Sequence, residues 1–308
     1  MGCRTTKKIT PLGTQIVDGK GLNLFSSRRT GGGTNPYIQP TSTIPTNSLY
    51  SHWDFSLLSD ADGTTYTSDN TLITGASGTS IGAASGTPQL YHRRSGTGTF
   101  STTITTQNGK KCLSVAQSSG TFDTGAYLQS GGNAYPDISS SSVSYTWIAV
   151  WKHTTGIVGY VRPYRWYLNS SSYEFNHALW WLNSSGSTGE LDAFNYSASQ
   201  RFASIPASDS NRPDITIVHY EIVTITGNSY EASYNNTSGT TSTVSGTLNG
   251  TATYSTVTDA NRYFEIRPVT YSNANYPALL ACEYAFYNRS MDSTERGTVI
   301  TNLKNKWG

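Results

Sequence analysis

From residue 49 onward the chain alternates in steps of two, and the alternation is cut every few residues by Asn, Ser, Gly or Pro. Such a pattern sends successive side chains to opposite faces of an extended strand and leaves little room for long helices. Segment 99–107 (TFSTTITTQ) is rich in β-branched residues and is followed by Asn108-Gly109, a strong hairpin signal. The strand resumes at 111–115. Segment 143–152 is apolar and aromatic, as expected of a central strand buried on both faces. Further strands are expected at 160–168, 173–183, 189–196, 215–226, 229–235, 242–248, 263–269 and 279–288. Strands at this density specify an all-β fold, an antiparallel two-sheet sandwich. No repeat of 20–50 residues is present, which disfavours a solenoid or a propeller.

The end of the chain has another period. Asp292 and Glu295 form a capping-box variant, and Val299, Ile300, Leu303 and Trp307 then fall on one helical face. Lys304 and Lys306 occupy the last turn, where they suit the helix dipole. One short C-terminal helix should therefore pack on the sandwich.

Residues 1–48 differ from the rest. Arg4, Lys7, Lys8, Lys20, Arg28 and Arg29 stand against the single acid Asp18, a balance of +5. The whole chain is +2, which leaves −3 for residues 49–308. The segment also holds Gly31-Gly32-Gly33 and four prolines, Pro11, Pro36, Pro40 and Pro45. It has too little apolar surface to fold alone and reads as an extended basic docking arm, with the six cations as partner-docking residues. The segment's aromatic residues, Phe25 and Tyr37, set up no pattern of alternating rings and cations, so an acidic protein surface is favoured over nucleic acid.

Charged residues make up only 13% of the chain and aromatics 12%, so the body is neutral and ring-rich and does not have the composition of a disordered chain. The apolar stretches 147–151 and 278–282 are far below the roughly 18 residues a membrane span needs. MGCRTTKKIT has no apolar core of a secretory signal. Cys3, Cys112 and Cys282 are odd in number and far apart, which reads as free thiols, with Cys112 and Cys282 packed as small hydrophobes. The five histidines show no ligand spacing, so neither a metal nor another cofactor is expected. Asp60 and Asp62 have the chemistry to bind calcium but read as turn residues.

Three blocks together carry a family resemblance. The first is Trp53-Asp54-Phe55 through Gly63 to Asp69. The second is Asn108-Gly109-Lys110-Lys111 through Val115 and Tyr127-Leu128 to Tyr145–Lys152. The third is Leu280 through Glu283 and Tyr287-Asn288-Arg289 to Met291, then Glu295-Arg296 and Lys306-Trp307-Gly308. Over residues 49–308 the chain resembles the concanavalin A-like, laminin G-like domains common in phage and bacterial surface proteins. The resemblance implies a jelly roll of two curved sheets. It does not fix the activity, because the fold carries lectins, hydrolases and inert scaffolds.

One strand has the look of chemistry. Glu190-Leu191-Asp192-Ala193-Phe194-Asn195 is similar to the signature of jelly-roll β-glucanases, but Asn195 stands where an acid/base is needed and has no proton to donate as a general acid. No catalytic residues are assigned, and the chain is read as non-enzymatic. The best candidate binding surface is the aromatic group around Tyr160–Trp181. From it and its polar neighbours we select Tyr164, Trp166, Trp180, Glu190 and Asp192 as carbohydrate-binding candidates, since sugars stack on rings and hydrogen-bond to acids. The expected role is a phage virion structural protein (capsid decoration, head fibre or tail-associated), homo-oligomeric and assembled in the host cytoplasm. Residues 1–48 would contact other capsid or tail proteins, and no membrane is involved. The alternative is a host-attachment fibre that binds a cell-surface glycan, and a glycoside hydrolase ranks below both.

Overall fold

The computed structural model describes residues 44–74, 87–95, 101–116, 125–136, 144–153, 159–168, 176–183, 189–194, 201–205, 217–227, 229–235, 239–247, 262–270 and 279–308. For 95, 159–162, 167–168, 176–183, 189–194, 201–205 and 268–270 only the backbone is described. The docking residues Arg4, Lys7, Lys8, Lys20, Arg28 and Arg29 lie outside these segments.

The strands, in chain order, are β1 (Leu49–Asp54), β2 (Thr65–Tyr66), β3 (Thr71–Ile73), β4 (Leu90–Ser95), β5 (Thr102–Gln107), β6 (Lys110–Val115), β7 (Gly125–Ser130), β8 (Ser144–His153) and β9 (Gly159–Leu168). They continue as β10 (Asn176–Asn183), β11 (Gly189–Phe194), β12 (Arg201–Ile205), β13 (His219–Thr226), β14 (Ser229–Asn235), β15 (Thr241–Thr247), β16 (Arg262–Thr270) and β17 (Leu279–Tyr287). Helix α1 (Ser293–Trp307) closes the chain. Asn108 and Gly109 take φ of 49° and 70°, the positive values that a two-residue hairpin between β5 and β6 demands.

Two sheets form, and every strand pair is antiparallel. The first runs β15-β14-β13-β8-β17-β6-β5-β2, with β1 also on β17. Strands β6 and β1 share one edge of β17: β6 pairs with Leu279–Ala281 and β1 with Glu283–Tyr287. The second sheet runs β12-β11-β10-β9-β16-β7-β4-β3.

The core between the sheets is aromatic. Trp53 stacks on Phe264 at 4.7 Å between centroids, and Phe264 stacks on Trp166 at 4.3 Å. Leu128, Tyr164 and Ile266 from the second sheet meet Trp147, Tyr284 and Phe286 from the first. A second core lies on the other face of the first sheet. There Ile148, Val150, Ile222, Ala285 and Tyr287 pack under Val299, Ile300, Leu303 and Trp307 of α1. The central strand β8 is thus buried on both faces, which is why its sequence is nearly continuous in apolar residues. Each large side chain fully buried in this way contributes about 1.5–3 kcal/mol.

The expected cap and stripe of α1 form. Asp292 accepts from the Glu295 N–H at 2.8 Å, and Val299, Ile300, Leu303 and Trp307 are buried. The buried Arg296 is an addition to that stripe. Its guanidinium donates to Glu231, to Ser233 Oγ at 3.2 Å and to the Met291 carbonyl at 2.5 Å, which ties α1 to β14. Strands β1, β2, β3, β4, β7 and β12 are not among those expected from the alternation. In β4 the reason is a polar residue on the inner face: His92 is buried, with Nδ1 3.0 Å from Thr102 Oγ1, and so masks the alternation.

Candidate functional site

The sequence-selected sugar-binding residues separate. Tyr164 and Trp166 are corrected: they belong to the core between the sheets, 1% and 0% exposed. Trp166 is packed by Trp53, Phe264 and Phe286, and Tyr164 Oη accepts from Trp147 Nε1 at 2.7 Å. Neither ring has a free face on which a sugar could stack. Trp180, Glu190 and Asp192 lie on the neighbouring strands β10 and β11, where Trp180 is in register with Glu190 and Ala178 with Asp192. Their side chains are outside the described set.

Among the described residues, two clusters of buried ionisable side chains centre on Glu283 and Glu221. The first binds the chain's end. The Lys306 ammonium lies 2.6 Å from Asp54 Oδ2 and 2.8 Å from Glu283 Oε2. Trp307 Nε1 donates to the same Glu283 oxygen at 2.8 Å, and His52 Nε2 meets Glu283 Oε1 at 2.8 Å. Burial alone would push the Glu283 carboxyl up, but the His52 hydrogen bond and the Lys306 charge outweigh it and hold it down at about 2. Candidate metal-ligand atoms of His52, Asp54 and Glu283 lie within 4.8 Å of one another. The ammonium already supplies the cation between the two carboxylates, so the cluster is built as a clasp.

The second group crosses the sandwich. Trp147 donates to Tyr164, Glu221 stands beside that phenol, and His219 Nε2 lies 2.9 Å from Glu221 Oε2. Burial, then Glu221, pushes the Tyr164 hydroxyl far up. His153 is fully buried nearby, and burial followed by the His219 charge lowers its pKa to about 3. This network is sealed inside the molecule, away from any large solute.

The remaining turn acids have local roles. Asp60 Oδ2 accepts from Tyr66 Oη at 2.7 Å, and Asp62 Oδ1 accepts from the Gly63 N–H at 3.1 Å.

A polar and aromatic group of another kind covers the outer face of the second sheet, opposite Leu90, Leu128, Phe264, Ile266 and Trp166 of the core. The register places Tyr91 beside Gln129, Gln129 beside Glu265, and Glu265 beside Arg165, one row across β4, β7, β16 and β9. Strands at roughly 4.8 Å spacing make that row about 14 Å long. Beside it, Arg93 is in register with Tyr127, whose ring carries the Arg267 guanidinium at 4.1 Å. Arg165 grips Glu265 with two bonds, Nε to Oε1 at 3.0 Å and Nη2 to Oε2 at 3.2 Å, and Arg267 Nε lies 3.4 Å from Oε1. Arg93 donates to Gln129 Oε1 at 3.2 Å and to Asn70 Oδ1 at 2.6 Å. Tyr91 Oη donates to Gln89 Oε1 at 2.7 Å. Glu265 is 2% exposed, while Tyr91, Arg93, Tyr127, Gln129, Arg165 and Arg267 are half-buried.

Sequence reasoning passed over this face, although a signal was present. In GAYLQS and RYFEIR the outward residues alternate with Ala, Leu, Phe and Ile. Period 2 alone puts Tyr127, Gln129, Glu265 and Arg267 on outward positions, and the register of β4 on β7 adds Tyr91 and Arg93.

No protein-family model matches the chain, and no curated protein matches it. Solved structures similar to it include a Trypanosoma rangeli sialidase in complex with sialic acid, with TM-score 0.49 and 10% identity, covering 85% of this chain and 34% of that one. The binding domain of Paraclostridial Mosquitocidal Protein 1 gives 0.48 and 10%, covering 84% and 52%. Botulinum neurotoxin type C, described for its interaction with two ganglioside molecules, gives 0.49 and 10%, covering 77% and 51%. The chain spans between a third and about half of those longer chains.

Proposed function

We propose that this chain is a non-catalytic structural component of a phage particle, fixed by its basic arm and presenting the outer face of its second sheet to carbohydrate. The observation that carries the reading is the makeup of that face. Tyr91 and Tyr127 offer rings for the apolar side of a sugar, and Gln129 and the arginines offer hydrogen bonds to hydroxyls. Among the described residues, the rows contain one carboxyl, Glu265, and it is held by two guanidiniums. Glycoside hydrolysis of the usual kind needs two carboxyls with separate tasks, so the arrangement favours holding a sugar over cleaving it. The arm's +5 against the body's −3 supports a division between anchor and display. Repeated positions on a particle would make the protein a homo-oligomer.

Two measurements test this. Deleting residues 1–48 should abolish incorporation into particles, and full incorporation without them would remove the anchoring role. Tyr127→Ala should lose binding on a glycan array while the melting temperature holds. Polysaccharide cleavage that disappears in Glu190→Gln would replace the reading with a hydrolase.

A further inference from the structure

We infer that the saccharide held by the outer face of the second sheet is acidic, carrying carboxylate groups as a uronic acid does. This deepens the carbohydrate reading above and rests on it.

The charge balance is the first argument. Among the described residues, Arg93, Arg165 and Arg267 stand on the two rows with one carboxylate, Glu265, a balance of +2. The flanking Arg94 and Asp69, joined through the Arg94 N–H at 2.9 Å, cancel and leave that balance unchanged. The Arg93 guanidinium donates to Gln129 and Asn70, whose amide oxygens are neutral. They orient it without neutralising it. The body as a whole carries −3, so a cationic face on it is a local departure.

Geometry is the second argument. The guanidiniums are held in place: Arg165 by its two bonds to Glu265, Arg267 by the Tyr127 ring at 4.1 Å, and Arg93 by the two amides. Side chains already ordered lose less entropy when they bind. A planar carboxylate fits the guanidinium fork with two parallel hydrogen bonds. An equatorial carboxylate lies close to the mean plane of its sugar ring. A ring lying on Tyr91 or Tyr127 therefore points that group along the sheet surface, toward a guanidinium on the neighbouring row or strand, about 5 Å away. The tetrahedral phosphate of a phosphodiester has no such coplanar fit.

The test uses the full chain and three soluble polymers: polygalacturonate, neutral dextran and polyphosphate. Titration calorimetry should show polygalacturonate binding that weakens with salt, little binding of dextran, and weaker binding of polyphosphate. Arg93→Gln and Arg267→Gln should each weaken polygalacturonate binding about tenfold or more, the loss of one charge-assisted contact. Both leave Arg165 on Glu265, and unchanged thermal melting would establish that the fold is intact. Equal binding of dextran, with arginine variants unaffected, would overturn the acidic assignment and leave the carbohydrate reading standing. Preference for polyphosphate would overturn the assignment to carboxylated sugar. If no saccharide on a broad array binds, the reading of the whole face falls with it.

Discussion

Glu283 Oε2 and the Lys306 ammonium meet at 2.8 Å, joining the last turn of α1 to the strand β17 beneath it. The contact spans the strand–turn–helix unit at the chain's end. Asp54 brings in β1 from the opposite end of the body, at 2.6 Å from the same ammonium. The side chains are nearly buried, 0% exposed for Glu283 and 10% for Lys306. Water therefore screens the pair weakly, and each partner depends on the other.

Lys306→Met should accordingly cost about 3–5 kcal/mol, the range for a buried pair left with one charge. Urea unfolding at neutral pH would show a lower midpoint at unchanged slope. The double variant Lys306→Met, Glu283→Gln should recover part of the loss, because it removes the fully buried carboxylate and leaves bare only that of Asp54, which is 12% exposed. A cost below about 1 kcal/mol would put the pair in the class of surface salt bridges.

Acid should weaken the protein in two stages. His153 titrates in the fold at about 3 against an ordinary 6.5. A histidine kept neutral by burial contributes stability that is complete above 6.5 and lost as pH falls toward 3. Glu283, held at about 2 against an ordinary 4.5, contributes stability complete above 4.5 and lost as pH falls toward 2. The slopes have the same sign, so melting temperature should decline below pH 6.5 and more steeply below 4.5. His153→Leu should flatten the curve between 6.5 and 4.5 only. If wild type and variant fall in parallel through that window, the assignment to His153 is wrong.

Much of this architecture can be read from the residues. Segment 143–152 announces a strand buried on both faces and becomes β8, and the period 3.6 of Val299, Ile300, Leu303 and Trp307 becomes the buried side of α1. Lys306 was legible only as a dipole partner. Its bonds to Asp54 and Glu283 join positions more than 250 and 20 residues away, and no local pattern reports on such pairs. The aromatic group around Trp166 misled for the opposite reason. Rings that suit a sugar also suit a core, and their richness says nothing of which face they take. Arg165, set between Tyr164 and Trp166, carries the missing information. A guanidinium seeks the wet face, so its two neighbours must point inward.

The cysteines give a chemical test. Cys112 and Cys282 are both free and fully buried, as expected of small hydrophobic residues. Burial, followed by a hydrogen bond with Cys112, pushes the Cys282 thiol well up. The thiolate is the reactive form, so both should resist iodoacetamide in the native protein at pH 8 and react within minutes in denaturant. Mass spectrometry of the alkylated peptides reads each site separately. Rapid native labelling of Cys282 would mean that α1 does not cover it.

Trp166 and Tyr127 provide the sharpest contrast between core and surface. Both are rings in the second sheet, but Trp166 is wholly buried among Trp53, Phe264 and Phe286, whereas Tyr127 is half-buried beneath Arg267. Trp166→Ala leaves a cavity between the sheets and should cost about 3–5 kcal/mol, with saccharide binding failing only as the fold fails. Tyr127→Ala removes a stacked cation–π contact worth about 0.5–1 kcal/mol at an exposed site, so the fold should survive nearly intact. Its effect belongs on binding, through the lost platform and the loosened Arg267. Chemical denaturation and glycan titration on the two variants separate these outcomes. A Trp166→Ala protein of unchanged stability that has lost sugar binding would place the recognition surface on the inner face and reverse the assignment.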